Sequence, residues 1–364
     1  MKIAELCNYA PKSKIKAGDA VCDGQYMFFT SSSEEDKRYN DYQIDGEGII
    51  MGTGGNVTLH YYNGKFSVST DCVVLQPKSH ISCKYLYYFF LANYPLLEAG
   101  FKGAGLKHTN KNYIGNIDID NIPTIEEQNK IVSVLDEITK VLSNKNNMIQ
   151  CFDELTKARF VEMFGRSEKN WPLVNIGQIC TDARTGPFGS SLHHDEFVDK
   201  GVFVLGIDNA VENDFSYKRM RYITEEKYQQ LKRYTVYPGD VIITIMGTIG
   251  RSAVIPNNIP LAINTKHLAC LTPDYNKVDS VFLCKAFQIH PEVQEQLMDN
   301  AKGAIMDGLN LGIIKNLKLH LPPLQEQRAF KTLCTKVDKT KSIVQQSVKE
   351  TQLLFDSLMQ EYFS

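Results

Sequence analysis

Basic and small polar side chains stand beside aromatic residues in the turn-rich stretches of this chain. In the first half they are Thr53, Asn56, Lys65 and Thr70. In the second they are Arg184, Arg219, Arg221, Arg251 and Lys266. Arginine and lysine hold phosphates or pair with a guanine edge, asparagine reads an adenine edge, and threonine bonds to either kind of group. Singly, each is an ordinary solvated side chain. As a group they gain weight because the two halves match, Thr53 with Thr248 and Thr70 with Thr265. That chemistry suits recognition of a polyanion and breaks no bond.

Catalytic constellations are missing. The glycine runs after Met51 and after Lys102 lack the spacing of a phosphate-cradling loop and read as turns. His193 and His194 have no carboxylate or cysteine cluster at ligand spacing, so a surface loop is expected there and no metal site. A nucleophile elbow and a zinc-protease helix are both absent. The run Leu321-Pro322-Pro323-Leu324 lacks both ends of the adenine-methyltransferase signature. The expectation is a binding protein, non-catalytic by itself.

Two long helical stretches position these residues. Pro123 to Gln128 opens a pattern that runs to Phe164, and Pro322 to Gln327 opens another that runs to the last residues. Thr124 and Glu127 have capping-box spacing. Apolar residues of the first helix fall at Ile131, Leu135, Ile138, Leu142, Ile149 and Phe152, with Met148 and Leu155 beside the stripe. In the second they fall at Val337, Val344, Val348, Leu354, Leu358 and Tyr362, interrupted by Thr340 and Thr351. This 3–4 spacing predicts a coiled-coil pair, each helix about 60 Å long at 1.5 Å per residue. Glu127, Gln128, Glu326 and Gln327, at the helix starts, are candidates for capping and for contact with a partner.

The globular stretches before each helix repeat one another. Met51-Gly52-Thr53 matches Met246-Gly247-Thr248, Ser69-Thr70-Asp71 matches Asn264-Thr265-Lys266, and Lys102-Gly103-Ala104 matches Lys302-Gly303-Ala304. Asn110 and Ile114 match Asn310 and Ile314. Order and spacing argue for a tandem duplication. Each copy reads as short strands and turns. Leu59 to Val68 is expected to be a hairpin about Asn63-Gly64, a type I′ turn pair. The second copy carries an extra stretch, Phe203 to Tyr234, rich in Tyr, Lys and Arg.

The fold class is therefore α+β. Two recognition-type domains, residues 1–121 and 166–320, alternate with spacer helices 122–165 and 321–364, which form an antiparallel coiled coil with pseudo-twofold symmetry. The 364 residues are enough for two domains. A net charge of −2 excludes a uniformly basic nucleic-acid binder, but a local basic face remains open. No secretory or membrane-spanning segment is visible, and nine cysteines without a C-x-x-C pair suit a reducing cytoplasm.

The Pro-x-x-x-Glu-Gln starts of both helices, the Gly239-Asp240 strand followed by Met246-Gly247-Thr248, and the opening Trp171 to Gly177 together make the chain similar to the specificity subunits of Type I restriction–modification systems. The resemblance covers nearly the whole chain. It implies that each domain reads one half of a bipartite sequence in double-stranded DNA. It implies that the helices fix the gap and hold two methyltransferase subunits, to which restriction subunits add. The resemblance implies no cofactor bound by this chain; S-adenosylmethionine, ATP and Mg²⁺ would serve the partners. The alternatives are a DNA-recognition subunit of a bifunctional Type II or other phage-defence methyltransferase complex, and a two-domain scaffold that binds protein.

Overall fold

The computed structural model describes residues 1–165, 170–188, 191–302 and 309–364, without the side chains of 301 and 302. The Gly303-Ala304 half of the expected repeat lies outside these residues. The chain divides into two compact units. One is Met1–Asn147 with Gln345–Ser364, and the other is Met148–Val344.

The first unit holds α1 (Ile3–Leu6), β1 (Cys7–Tyr9), β2 (Tyr26–Phe29), β3 (Arg38–Tyr39), β4 (Ile44–Gly52), β5 (Leu59–Val68), β6 (Cys72–Pro77), α2 (Cys83–Ala92), α3 (Tyr94–Glu98) and α4 (Lys111–Gly115). Its helix α5 (Ile125–Phe164) runs on into the second unit. The six strands form one sheet in the order β1-β6-β4-β5-β2-β3, antiparallel except where β2 meets β5. Strand β4 is apolar on both faces because both are covered. Ile49 and Met51 enter a core with Leu86, Phe90 and Ile114, while Ile50 enters a second core with Phe29, Phe66 and Val74.

The expected hairpin about Asn63-Gly64 is not formed. Residues 59–68 are one continuous strand, and the turn is the loop between β4 and β5. Gly64 lies opposite Gly46 in the ladder, and both have positive φ, 144° and 127°. The glycine pair therefore marks a bend within a long hairpin and not its tip. The sheet curls enough for Cys72 Sγ to reach Phe29 O at 3.7 Å.

The second unit repeats this topology in pieces. It holds β7 (Leu173–Asn175), β8 (Cys180–Thr185), β9 (Val202–Leu205), β10 (Tyr222–Ile223), α6 (Glu225–Leu231), β11 (Val241–Thr244), β12 (Ser252–Val254), β13 (Ala262–Asn264) and β14 (Leu268–Pro273). After these come α7 (Ser280–Ile289), α8 (Pro291–Lys302), α9 (Leu311–Asn316), β15 (Lys318–His320) and α10 (Leu324–Phe363). One sheet has the order β12-β11-β14-β8 and another β10-β9-β13, with β9 and β13 parallel. β12 and β13 together occupy the place of β5. Pro256 and Pro260 stand between them, and proline cannot continue the ladder.

Each unit takes part of both long helices, packed antiparallel. In the first, Leu135 shares a core with Met359, and Lys145 Nζ donates to Ser347 Oγ (2.8 Å) and Thr351 Oγ1 (2.7 Å). In the second, the rings of Phe160 and Phe330 lie 5.3 Å apart and Lys341 Nζ meets Asp153 Oδ1 at 2.5 Å. The inner stripe differs in detail from the expected one. Leu354 is 52% exposed, and Thr351 and Phe355 turn inward in its place, while Leu358 and Tyr362 face inward as expected. Among the described residues no helix is long and apolar enough to cross a membrane.

Candidate nucleic-acid interface

The turn between paired strands organises both units. In the first, Ser69 N donates to Phe29 O (2.9 Å) and Cys72 N to Ser69 O (3.2 Å), which lifts Thr70 and Asp71 to the surface. In the second, Thr265 N donates to Leu205 O and Leu268 N to Thr265 O, both at 3.1 Å, which lifts Lys266 and His267. The equivalent pairs are therefore Ser69 with Thr265 and Thr70 with Lys266, one residue from the expected match. The other match also shifts. Gly52 N bonds across the hairpin to Thr58 O as Thr244 N bonds to Arg251 O, so Met51 is in a strand whereas Met246 is in a loop. Thr53 and Thr248 do not hold equivalent places.

In the second unit a cleft of about 570 Å³ opens beside this turn, lined among others by His193, His194, Asp208, Arg221, Lys266 and His267. Asp208 anchors its basic side: Oδ2 accepts from Arg221 Nη2, and Oδ1 lies 3.5 Å from Arg219 Nη1. The Arg221 guanidinium lies over the Gly206 backbone, so a side chain there would displace it. Burial, then the charges of Lys266 and Arg221, hold the His267 pKa below its ordinary value, which favours the neutral ring. Arg251 is exposed on the loop between β11 and β12, whose Gly247 lies against Ile207 in the cleft wall. The structure thus gathers Arg219, Arg221 and Lys266, with Arg251 on a bordering loop.

Arg184 is not among them. Its side chain is 10% exposed and donates to Asp240 Oδ2 (2.6 Å), Thr235 O (2.6 Å), Asp182 Oδ2 (2.7 Å) and Thr272 Oγ1 (2.9 Å). The expected DNA contact is corrected to an internal tie that seats β8 on the sheet.

In the first unit, Thr53 N (2.8 Å), Thr53 Oγ1 (3.0 Å) and Ser31 Oγ (2.8 Å) all donate to Asp71 O. This brings Thr53 to Thr70, with Asn56 exposed on the same loop as Thr53. Lys65 is elsewhere. It pairs across the ladder with Asp45 and lies 4.5 Å from the centre of the Tyr42 ring.

At the helix starts, Thr124 N donates to Glu127 Oε2 (2.9 Å) and Glu127 N to Thr124 Oγ1 (3.4 Å), completing the capping box. Gln128 is fully buried. Its Oε1 accepts from Ser82 N (2.7 Å), the cap of α2, and its Nε2 donates to Pro123 O (2.9 Å). Gln327 repeats the arrangement with Asp279 N (2.8 Å), the cap of α7, and Pro322 O (2.8 Å). Both glutamines are internal latches between a domain and its helix, with no surface left for the expected partner contact. Glu127 is exposed and Glu326 half-buried. The paired Pro-x-x-x-Glu-Gln motif carried the signal for this latch; Asp208 and His267 had no local signal.

Among the described residues no group of three or more His, Cys, Asp or Glu is placed to hold a metal ion. The family model described as "Type I restriction modification DNA specificity domain" matches residues 1–150 and 168–351. The MjaVIII specificity subunit of Methanocaldococcus jannaschii is 21% identical over 80% of this chain and 72% of its own. The EcoBI specificity subunit of Escherichia coli is 24% identical over 54% of this chain, which spans only 41% of that relative. A crystal structure of a Type I restriction–modification S subunit from M. genitalium shares the fold, with a TM-score of 0.68 at 16% identity over 100% of this chain and 95% of that one. A second structure, from work on assembly and conformational transition of the Type I system, gives 0.60 at 14% over 100% and 96%. With one topology repeated in both units and the family match running through both, the chain belongs to the Type I restriction modification DNA specificity family.

Proposed function

We propose that this chain is the sequence-reading subunit of a Type I restriction–modification complex, with each unit reading one half of a bipartite duplex target. The observation that carries the reading is the shared turn, which presents Thr70 and Asp71 in one unit and Lys266 and His267 in the other. A common framework with different polar residues at one point is what two readers of different sequences need. Side chains on these turns would meet base edges in the major groove. The 40-residue helices α5 and α10 would set the gap between half-sites. Their paired faces would hold two methyltransferase subunits, which flip and methylate adenine with S-adenosylmethionine. Restriction subunits using ATP and Mg²⁺ would complete the assembly in the cytoplasm. This chain itself would form and break no bond.

Mapping methylated adenines in cells with and without the gene tests the reading. A bipartite motif that disappears with the gene is the expected result, and an unchanged methylation pattern would overturn it. Four residues inserted into both helices add about 6 Å at 1.5 Å per residue, or one to two base pairs of gap at 3.4 Å each. The half-sites should stay as they are while the gap widens.

A further inference from the structure

The first unit carries a basic strap used by none of the contacts above. Residues Lys12, Ser13, Lys14, Ile15 and Lys16 follow β1 without helix or strand pairing, alternating exposed, buried, exposed, intermediate and exposed. Ser13 is only 4% exposed, and its Oγ accepts from Ile15 N (3.0 Å) and from Gln43 Nε2 (2.9 Å). Gln43 Oε1 in turn accepts from Val68 N (3.1 Å), so the strap is tied to the end of β5. Ile15 O accepts from Thr70 N (2.8 Å), which joins the strap to the turn that carries Thr70 and Asp71.

The three lysines are exposed, and none of their ammonium groups has a hydrogen-bond or ion-pair partner among the described residues. Lys65, Lys84, Lys218 and Lys227 do have carboxylate partners. The Asp19 carboxylate, close by in sequence, accepts from the Lys16 backbone N–H (2.8 Å). Four residue steps of chain span at most about 13 Å, the axial rise of about four nucleotides on one strand. Lysine is a mobile point charge without the fork needed to read a base edge. Its natural partner in a regular array is a row of phosphates.

We infer that the Lys12–Lys14–Lys16 strap is the phosphate-contact element of the first unit, gripping the DNA backbone while Thr53, Asn56, Thr70 and Asp71 face the bases. The inference rests on the DNA-reading function proposed above.

The test is the full chain, with its methyltransferase partner, titrated against duplex DNA carrying the mapped motif over a range of salt. Each lost phosphate contact lowers the slope of log K against log salt by about 0.9. Lys12→Gln/Lys14→Gln/Lys16→Gln should lower it by about 2 to 3, and weaken binding on the order of 100-fold at 0.1 M salt. Cognate and scrambled duplexes should lose affinity alike, and the methylated motif should keep its sequence. The triple Lys→Arg variant should restore the slope. An unchanged slope, in a wild type that binds, overturns the strap alone. Weaker methyltransferase binding with an unchanged slope overturns it in favour of a protein contact. A wild type without DNA affinity overturns the parent reading and the strap with it. An unchanged unfolding midpoint is expected for the Gln variant, because the three side chains are exposed and their ammonium groups make no hydrogen bond or ion pair among the described residues.

Discussion

The two units solve one packing problem in opposite ways. By ladder register, Gly48 of the first unit takes the place of Asp240 in the second, and Val74 that of Cys270. In the first unit the space over Gly48 is filled by Val74 and Phe66. In the second it holds the Asp240 carboxylate, which accepts from Arg184, Thr272 Oγ1 (2.8 Å) and Cys270 Sγ (3.3 Å). Strand order, turn geometry and helix latch are the same on both sides. The framework therefore does not depend on whether this site is oily or ionic. The hydrogen-bonded ladder and the faces buried against the long helices set the topology, and the remaining residues can diverge.

The largest expected effect breaks the ionic solution. Asp240 is 1% exposed, so Arg184→Met should cost about 3–5 kcal/mol by leaving its charge unpaired. Denaturant unfolding of the full chain measures this. Adding Asp240→Val, which makes this site apolar as it is in the first unit, should recover most of the loss. If the double variant is no better than the single one, the two solutions are not interchangeable.

The latches come next. Gln128→Ala and Gln327→Ala each strip partners from buried backbone groups and should each cost about 1–3 kcal/mol. Similar losses would support a shared framework, and a loss confined to one unit would break the comparison at its strongest point.

A recognition swap is expected to be comparable but confined to DNA. Lys266→Thr puts at this position the residue type that the first unit has there. Discrimination at one base pair should change by about 1–3 kcal/mol, visible as a relaxed second half-site with the first half-site intact. Methylation mapping reads both halves together.

The smallest effect is a titration. The folded His267 pKa lies below its ordinary value, chiefly through burial. Its contribution to stability is therefore complete above about pH 6.5, the unfolded value, and falls as pH drops below it while the unfolded chain takes up the proton. An NMR titration should place the ring below the ordinary histidine range. A value at or above that range would mean that the ring is not buried here and that Lys266 and Arg221 do not face it. Asp71, at the same point of the first unit, has no such ring to titrate.

Most of the framework was legible in the residues. The capping box of Thr124 and Glu127 and the helical stripe through Leu135 and Phe152 depend on neighbours three or four positions apart. The misreadings share a cause. Asn63-Gly64 has the composition of a turn, yet Gly46 lies opposite it and the strand runs through. Leu354 looked like core, but Phe355 fits the inner stripe against the first helix. The candidate site was half legible: Arg219, Arg221 and Lys266 were visible as types, while Asp208 and His267 became part of a site only through the cleft.

The duplication, the two long helices and their Pro-x-x-x-Glu-Gln starts are encoded in nearby residues, because local propensity and periodicity are written there. That Gln128 and Gln327 face inward, that Arg184 is sealed, and that Thr70 corresponds to Lys266 emerges in the folded chain alone. Those outcomes rest on bonds between residues far apart in the chain, such as Gln128 with Ser82 and Arg184 with Asp240. A side chain's role there is fixed by what the opposite strand or helix leaves unsatisfied, which its own neighbours in sequence do not encode.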